Sequence, residues 1–238
     1  MSSLDGYLGA VVGRLQGIFG GRLVGVYPAG SLALDAYLPG RSDIDLVAVA
    51  SAPSTDEIEA VIAALDHGSL PCPARGLEFV LYDREVLAGL TTEAGFALNL
   101  NTGRDLPYKA EIGYSEGLAF WYPIDRDIVR QQRRVLIGPP FPQLVTRVRS
   151  RQLMPVVAES VAAHRAMPGP NAVLNACRAM RYHAEHTWYP KRAAAAWVLD
   201  TVLPDAAVIR AALDGAALDP AAVENFLAKV HAIVTSPA

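Results

Sequence analysis

The segment GSLALDAYLPGRSDIDLVAVA, Gly30 to Ala50, decides how the rest of the chain is read. It sets a Gly-Ser pair at one end, a polar loop in the middle, and two aspartates one residue apart at the head of an apolar run. Ile44, Leu46, Val47 and Val49 have the character of a buried strand. Such a strand does not normally admit carboxylates, because burying an unpaired charge costs several kcal/mol or more. Residues two apart on a strand share a face, so Asp43 and Asp45 project together while Ile44 and Leu46 project into a core. Parallel carboxylates repel, and both stay ionised cheaply only with a cation between them; a hard, oxygen-seeking ion such as magnesium fits. Taken alone, Asp-x-Asp is also what a strand entering from solvent with a polar first turn looks like. Here Gly30 and Ser31 follow the short apolar segment Leu23 to Tyr27 and precede SLALDAY, which can open a short helix. Backbone N–H groups and a hydroxyl at such a turn suit a phosphate.

Working outward, apolar residues at Leu4, Leu8, Val11, Val12, Leu15 and Ile18 follow helical spacing until Gly20-Gly21 stops it. Leu23 to Tyr27 and Asp45 to Val49 read as strands. Ser54 or Thr55 can cap a helix from about Asp56 to Asp66, with Glu57 and Glu59 near its positive end. Gly76 to Tyr82, GLEFVLY, alternates like a half-buried strand, and Glu78 shares its face with Val80 and Tyr82. Farther on, Phe96, Leu98 and Leu100 alternate, and EGLAFWY, Glu116 to Tyr122, reads as a further edge strand. The recurrence of strand, helix and strand argues for an α/β region.

GPPFP, Gly138 to Pro142, is the strongest break, and beyond it the chain turns Ala-rich and helical. Helices are expected over roughly Val145 to Ala166, Asn171 to His186, Lys191 to Leu203, Asp205 to Leu213 and Pro220 to Val234. The expected fold is therefore an α/β N-terminal domain, residues 1–142, with a mixed sheet and flanking helices, followed by an all-α helical-bundle domain, residues 143–238.

With 238 residues, 52% of them hydrophobic and 19% charged, the chain can bury a substantial core and is not a disordered sequence. A net charge of -3 gives no broad electrostatic footing for a nucleic-acid backbone, and a small or cationic partner fits better. Cys72 and Cys177 form neither a disulfide framework nor a cysteine zinc site, which fits a reducing, cytoplasmic compartment. The N-terminus lacks a signal-peptide pattern, and no apolar run has the roughly 18 residues that spanning a bilayer needs, so no membrane partner is expected.

Gly30-Ser31 followed by Ser42-Asp43-Ile44-Asp45-Leu46 resembles the signature of the polymerase-β-like nucleotidyltransferases. The resemblance implies that Asp43 and Asp45 bind magnesium carrying a nucleotide triphosphate, with Gly30, Ser31 and Ser42 on the nucleotide side. It also implies a third acidic residue on a neighbouring strand, for which Glu78 is the candidate, as general base or as a ligand to a second metal. The stretch Asn171 to Pro204 is similar to the helical C-terminal domain of the streptomycin/spectinomycin adenylyltransferases, as is Phe120 to Pro140. By that likeness Arg178 and Lys191 would reach the nucleotide phosphates across an active-site cleft closed by the helical domain. The chain departs from the family at Asp35, where glycine is usual, and at Asn99 or Leu100, which fall nearest the tryptophan that stacks on streptomycin.

The implied reaction moves AMP from ATP to a hydroxyl of a small acceptor, an aminoglycoside or aminocyclitol, with release of pyrophosphate and Mg2+ as cofactor. A monomer or weak homodimer is expected. The alternatives are a protein acceptor and a nucleotide-binding module without turnover. His183 and His186 either approach the cleft or form a packed, partly solvated pair, and Trp188, Tyr189 and Trp197 either line a pocket or pack between helices. Asp125 and Asp127 read as a helix start, and Arg130, Arg133 and Arg134 as a solvated basic face.

Overall fold

The computed structural model describes residues 3–113, 119–201 and 206–236. The chain divides into two compact units, Met1–Arg147 and Val148–Ala238.

The first unit opens with α1, Leu4–Phe19, whose N-cap Ser3 accepts a hydrogen bond from the Gly6 amide at 3.1 Å. Then come β1, Leu23–Pro28; the single turn α2, Gly30–Ala33; and β2, Ile44–Ala50. Next are α3, Thr55–Leu65; β3, Leu77–Asp83; and α4, Arg84–Gly89. β4, Leu98–Thr102; β5, Lys109–Ile112; and α5, Trp121–Gln132, follow. Ser54 and Glu57 form a reciprocal capping box at the start of α3, which fixes where the helix leaves the strand.

The five strands lie side by side in sequence order. Only β2 and β3 run parallel; the other three pairings are antiparallel. A parallel pair needs a crossover, and α3 supplies it. One sheet face carries Ile44, Leu46, Ala48, Leu77, Phe79, Leu81, Leu98 and Leu100 against Val11, Leu15, Val61 and Leu65 of α1 and α3. Burying each large side chain there contributes about 1.5–3 kcal/mol. The opposite face is apolar only from Val47 and Val80 onward, where Tyr27, Val49 and Tyr82 meet Val129, Phe141 and Leu144. The head of β2 and β3 on that face is left to polar residues.

Three readings need correction. Trp121 and Tyr122 belong to α5 rather than to an edge strand, while residues 116–118 of the same stretch lie outside the described residues. The buried Ile124, Ile128 and Val129 follow helical spacing, and Pro123 is tolerated in the first turn, where its missing N–H has no partner to lose. The edge strand is instead β5. Asp127, read as a helix start, sits inside α5, buried and bonded to Arg130 and Gln131. Gly138–Pro142 is bound into the first unit, because Val26 donates to Ile137 O at 3.0 Å and Tyr27 Oη donates to Pro139 O at 2.8 Å. The division accordingly falls after Arg147.

The second unit holds α6, Ser150–Ala163; α7, Pro170–Glu185; α8, Lys191–Thr201; α9, Ala206–Asp214; and α10, Pro220–Thr235. α7 packs on each of the other four, and its small buried residues Ala172, Ala176 and Ala179 permit close approach. Among the described residues no helix is long and apolar enough to cross a membrane.

Candidate active site

β1 delivers Ala29, whose amide donates to Asp45 O at 2.9 Å, and the chain then turns sharply into α2. Gly30 sits at φ 47°, a left-handed conformation that glycine adopts without penalty. A Cβ at this position would stand 2.6 Å from the Asp45 carboxyl carbon, so glycine is required twice over. The next residue places its hydroxyl in a buried spot: Ser31 Oγ makes no hydrogen bond among the described residues. A buried hydroxyl left unmatched costs about 1–3 kcal/mol, a cost that a bound oxyanion would remove. α2 is four residues long, so what it offers a ligand is backbone N–H and this hydroxyl rather than a helix dipole.

Ser42 is placed differently. Its Oγ accepts from Leu38 N at 3.0 Å and its own amide donates to Leu38 O at 2.9 Å, so it closes the loop that leads into β2. Asp43 follows immediately ahead of β2, with its Oδ1 3.9 Å from Arg75 Nε. Asp45 is directly opposite Glu78 on the parallel neighbour β3. Adjacent strands are about 4.8 Å apart, so these two carboxylates lie on one face at close quarters. Strand alternation puts Asp43 on the same side.

The face continues across the sheet. Glu78 pairs with Asn101 of β4, and Asn101 with Lys109 of β5. In the next row Asn99 donates to Glu111 Oε2 at 3.0 Å, and Lys109 Nζ meets the same oxygen at 2.8 Å. The Tyr122 hydroxyl of α5 is pushed well above its ordinary range, first by burial and then by the negative charges of Glu111, Asp125 and Glu78. Asn101, Glu111 and Tyr122 had no motif to announce them, and Asn99 stood out only as a departure from the family pattern. Their signal was the alternation of Leu98 and Leu100, which puts both asparagines on the face opposite the core.

Arg126 fixes α5 beside this face. It is buried and donates to Tyr82 Oη at 3.2 Å, Ala94 O at 2.9 Å, Thr91 O at 3.1 Å and Glu93 O at 2.6 Å. Asp35, in a left-handed conformation at φ 53°, is paired with Arg134 rather than with the aspartate pair.

The donor set bears on the implied metal. Among the described residues no three His, Cys, Asp or Glu side chains are arranged to hold an ion. Magnesium does not ask for such a cage: it keeps several waters and takes one or two carboxylates together with substrate phosphates. Two neighbouring aspartates with oxygen donors only are the kind of partial site it uses.

In the second unit Arg178 is buried on α7 with its guanidinium 5.6 Å from the Trp188 ring centre. Lys191 opens α8 and donates to Asn171 Oδ1 at 2.7 Å. Both cations bear on His164, whose ring nitrogens meet Ser160 O and Asn175 Nδ2. The aromatic residues pack between helices: Tyr182 stacks on Trp188 at 4.0 Å, and Arg181 lies 3.3 Å from the Tyr189 ring centre and 5.9 Å from that of Trp197. His186 ends α7 in a left-handed conformation and His183 lies one turn earlier.

Residues 143–231 match the family described as the aminoglycoside adenylyltransferase C-terminal domain. The fold is similar to that of a spectinomycin adenyltransferase from Enterococcus faecialis solved with ATP and spectinomycin, at a TM-score of 0.72 and 15% identity. That likeness covers 98% of this chain and 100% of the other. No curated protein matches the chain in sequence. A sheet that brings Gly30, Asp45 and Glu78 together is thus followed by a unit that matches the C-terminal domain of the aminoglycoside adenylyltransferases, in a chain whose fold is similar to that of such an enzyme over nearly its whole length.

Proposed function

We propose that the protein moves AMP from ATP to a hydroxyl of an aminoglycoside or aminocyclitol, in the cytoplasm. The observation that carries the reading is the juxtaposition of the buried, unmatched Ser31 hydroxyl with the Gly30–Asp45 contact and the Asp45–Glu78 register. We assign Gly30 and Ser31 to the triphosphate, with Ser42 shaping the loop that presents Asp43. Asp43 and Asp45 would hold magnesium, which when bound neutralises charge on the phosphate oxygens. Arg178 and Lys191 are assigned to the same phosphates as further cations.

Glu78 takes the proton of the acceptor hydroxyl. The acceptor oxygen bonds to the α-phosphorus as the bond to the bridging oxygen of the β-phosphate breaks, and pyrophosphate leaves. Asn99, Asn101 and Glu111 line the same sheet face and would meet the acceptor. Glu111 and Asp125 add negative charge there, which favours an aminated acceptor over an anionic one.

The test is pyrophosphate release from ATP and magnesium across a panel of aminoglycosides and aminocyclitols, with Asp43→Ala as the blank. Release with at least one member, abolished in Asp43→Ala and reduced but not abolished in Lys191→Ala, is expected. ATP binding without release from any member would remove the small-acceptor reading and turn the search to protein acceptors.

A further inference from the structure

Arg75 lies next to the acidic pair and has no role in the reaction above. Its backbone is pinned: Arg75 O accepts from Asp105 N at 3.0 Å, and the following carbonyl, Gly76 O, accepts from Ile44 N at 2.9 Å. A Cβ on Gly103 would stand 2.6 Å from Arg75 O, so this stretch has no slack. The side chain is the part that can move, being 43% exposed. Its Nε is 3.9 Å from Asp43 Oδ1, within ion-pair range but beyond a hydrogen bond. A second carboxylate is also within its influence. Asp105, on the loop after β4, is held below its usual range first by the hydrogen bond from Arg104 and further by the charge of Arg75.

Asp43, Asp45 and Glu78 must be brought together on one sheet face whether or not a divalent ion is present, and like charges that close resist it. A guanidinium on a fixed backbone but a free stem answers this, because an ion pair of 3.9 Å that is open to water on the arginine side is weak enough to be displaced.

We propose that Arg75 is the built-in counter-ion of the acidic pair, resting on Asp43 in the absence of a divalent cation and moving to Asp105 when one binds. The inference rests on the reading that Asp43 and Asp45 hold a metal. It fixes a sign. A competitor for Asp43 weakens metal binding, so removing it tightens binding; a brace that merely positions Asp43 would have the opposite effect.

The experiment titrates Mn2+ into the full chain without nucleotide, reading free Mn2+ by electron paramagnetic resonance, with thermal unfolding measured in parallel. Arg75→Gln is expected to bind Mn2+ about two- to fivefold tighter, the range that losing one weak, partly exposed ion pair allows. It should also unfold at a lower temperature without divalent ions, with Mn2+ closing the gap, whereas Arg75→Lys stays near the parent. Asp105→Asn is expected to weaken Mn2+ binding only while Arg75 is present, and it provides the comparison should Arg75→Gln not fold. Unchanged or weaker binding in folded Arg75→Gln, or no effect of Asp105→Asn, overturns the counter-ion. Asp45→Asn separates the two readings: if it binds Mn2+ like the parent, the metal reading falls as well; if it loses binding while Arg75→Gln is unchanged, only the counter-ion falls.

Discussion

The Asp45 carboxylate fills the space that a side chain at position 30 would occupy: a Cβ there would lie 2.6 Å from Asp45 Cγ and 3.1 Å from Asp45 Cβ. Gly30 also holds φ at 47°. Gly30→Ala therefore meets a steric and a conformational obstacle together. It is expected to lower stability by about 1–3 kcal/mol and to cut pyrophosphate release about 100-fold, the loss that a displacement near 1 Å produces in a reacting site. Urea unfolding and the release assay read the two effects separately. A variant as active as the parent would show that the reaction does not depend on where this contact holds Asp45.

Asp35 tests the opposite case, an acidic residue close in sequence to the site but uninvolved in it. Its carboxylate is exposed and engaged by Arg134, while its backbone holds the left-handed conformation. Asp35→Gly relieves that backbone and gives up a surface ion pair worth about 0–1 kcal/mol. Stability within about 1 kcal/mol of the parent and unchanged turnover are expected, by denaturant unfolding and pyrophosphate release. A large loss of turnover would bring Asp35 into the site.

His164 makes the stability of the second unit depend on pH. The ring is buried, with Nδ1 against Ser160 O and Nε2 3.0 Å from Asn175 Nδ2. Burial, reinforced by the charges of Lys191 and Arg178, pulls its pKa below the ordinary 6.5. A lowered folded-state value means that the unfolded chain binds the proton more readily. The stabilising contribution is then complete above pH 6.5 and is lost as pH falls through the folded-state value. Melting temperature measured from pH 8 to 5 should fall below 6.5 in the parent, and less steeply in His164→Gln, which cannot take up the proton.

The elements that were legible in the sequence are those whose signal is local. α1 runs from Leu4 to Phe19 as its apolar spacing indicated, and the Ser54–Glu57 capping box marks α3 as the composition of its first turn did. The strand character of β2 and β3, and the shared side of Glu78 with Val80 and Tyr82, followed from alternation alone. What could not be read depended on partners remote in sequence. Arg75 meets Asp43 through a loop, Arg134 returns to Asp35, and Arg126 gathers the carbonyls of Thr91, Glu93 and Ala94. A basic residue in an isolated stretch gives no sign of whether it faces water or a carbonyl, so Arg134 read as solvated when it also donates to Leu32 O at 2.7 Å. The edge strand was misplaced because β5 is four residues long and largely exposed, leaving almost no hydrophobic pattern to detect.

β2 and β3 are the one parallel pair in the sheet, and the register that aligns Asp45 with Glu78 exists only once the intervening chain, α3 included, has been crossed over and packed. Hairpins close over a few residues, but a parallel pairing must first meet the entropy of a long loop, and non-local pairings of this kind form slowly. The two carboxylates thus come face to face only when the most costly connection of the sheet has closed. A nascent or partly unfolded chain can hold its hairpins and still keep Asp45 and Glu78 apart, so their alignment marks a chain whose sheet has finished folding.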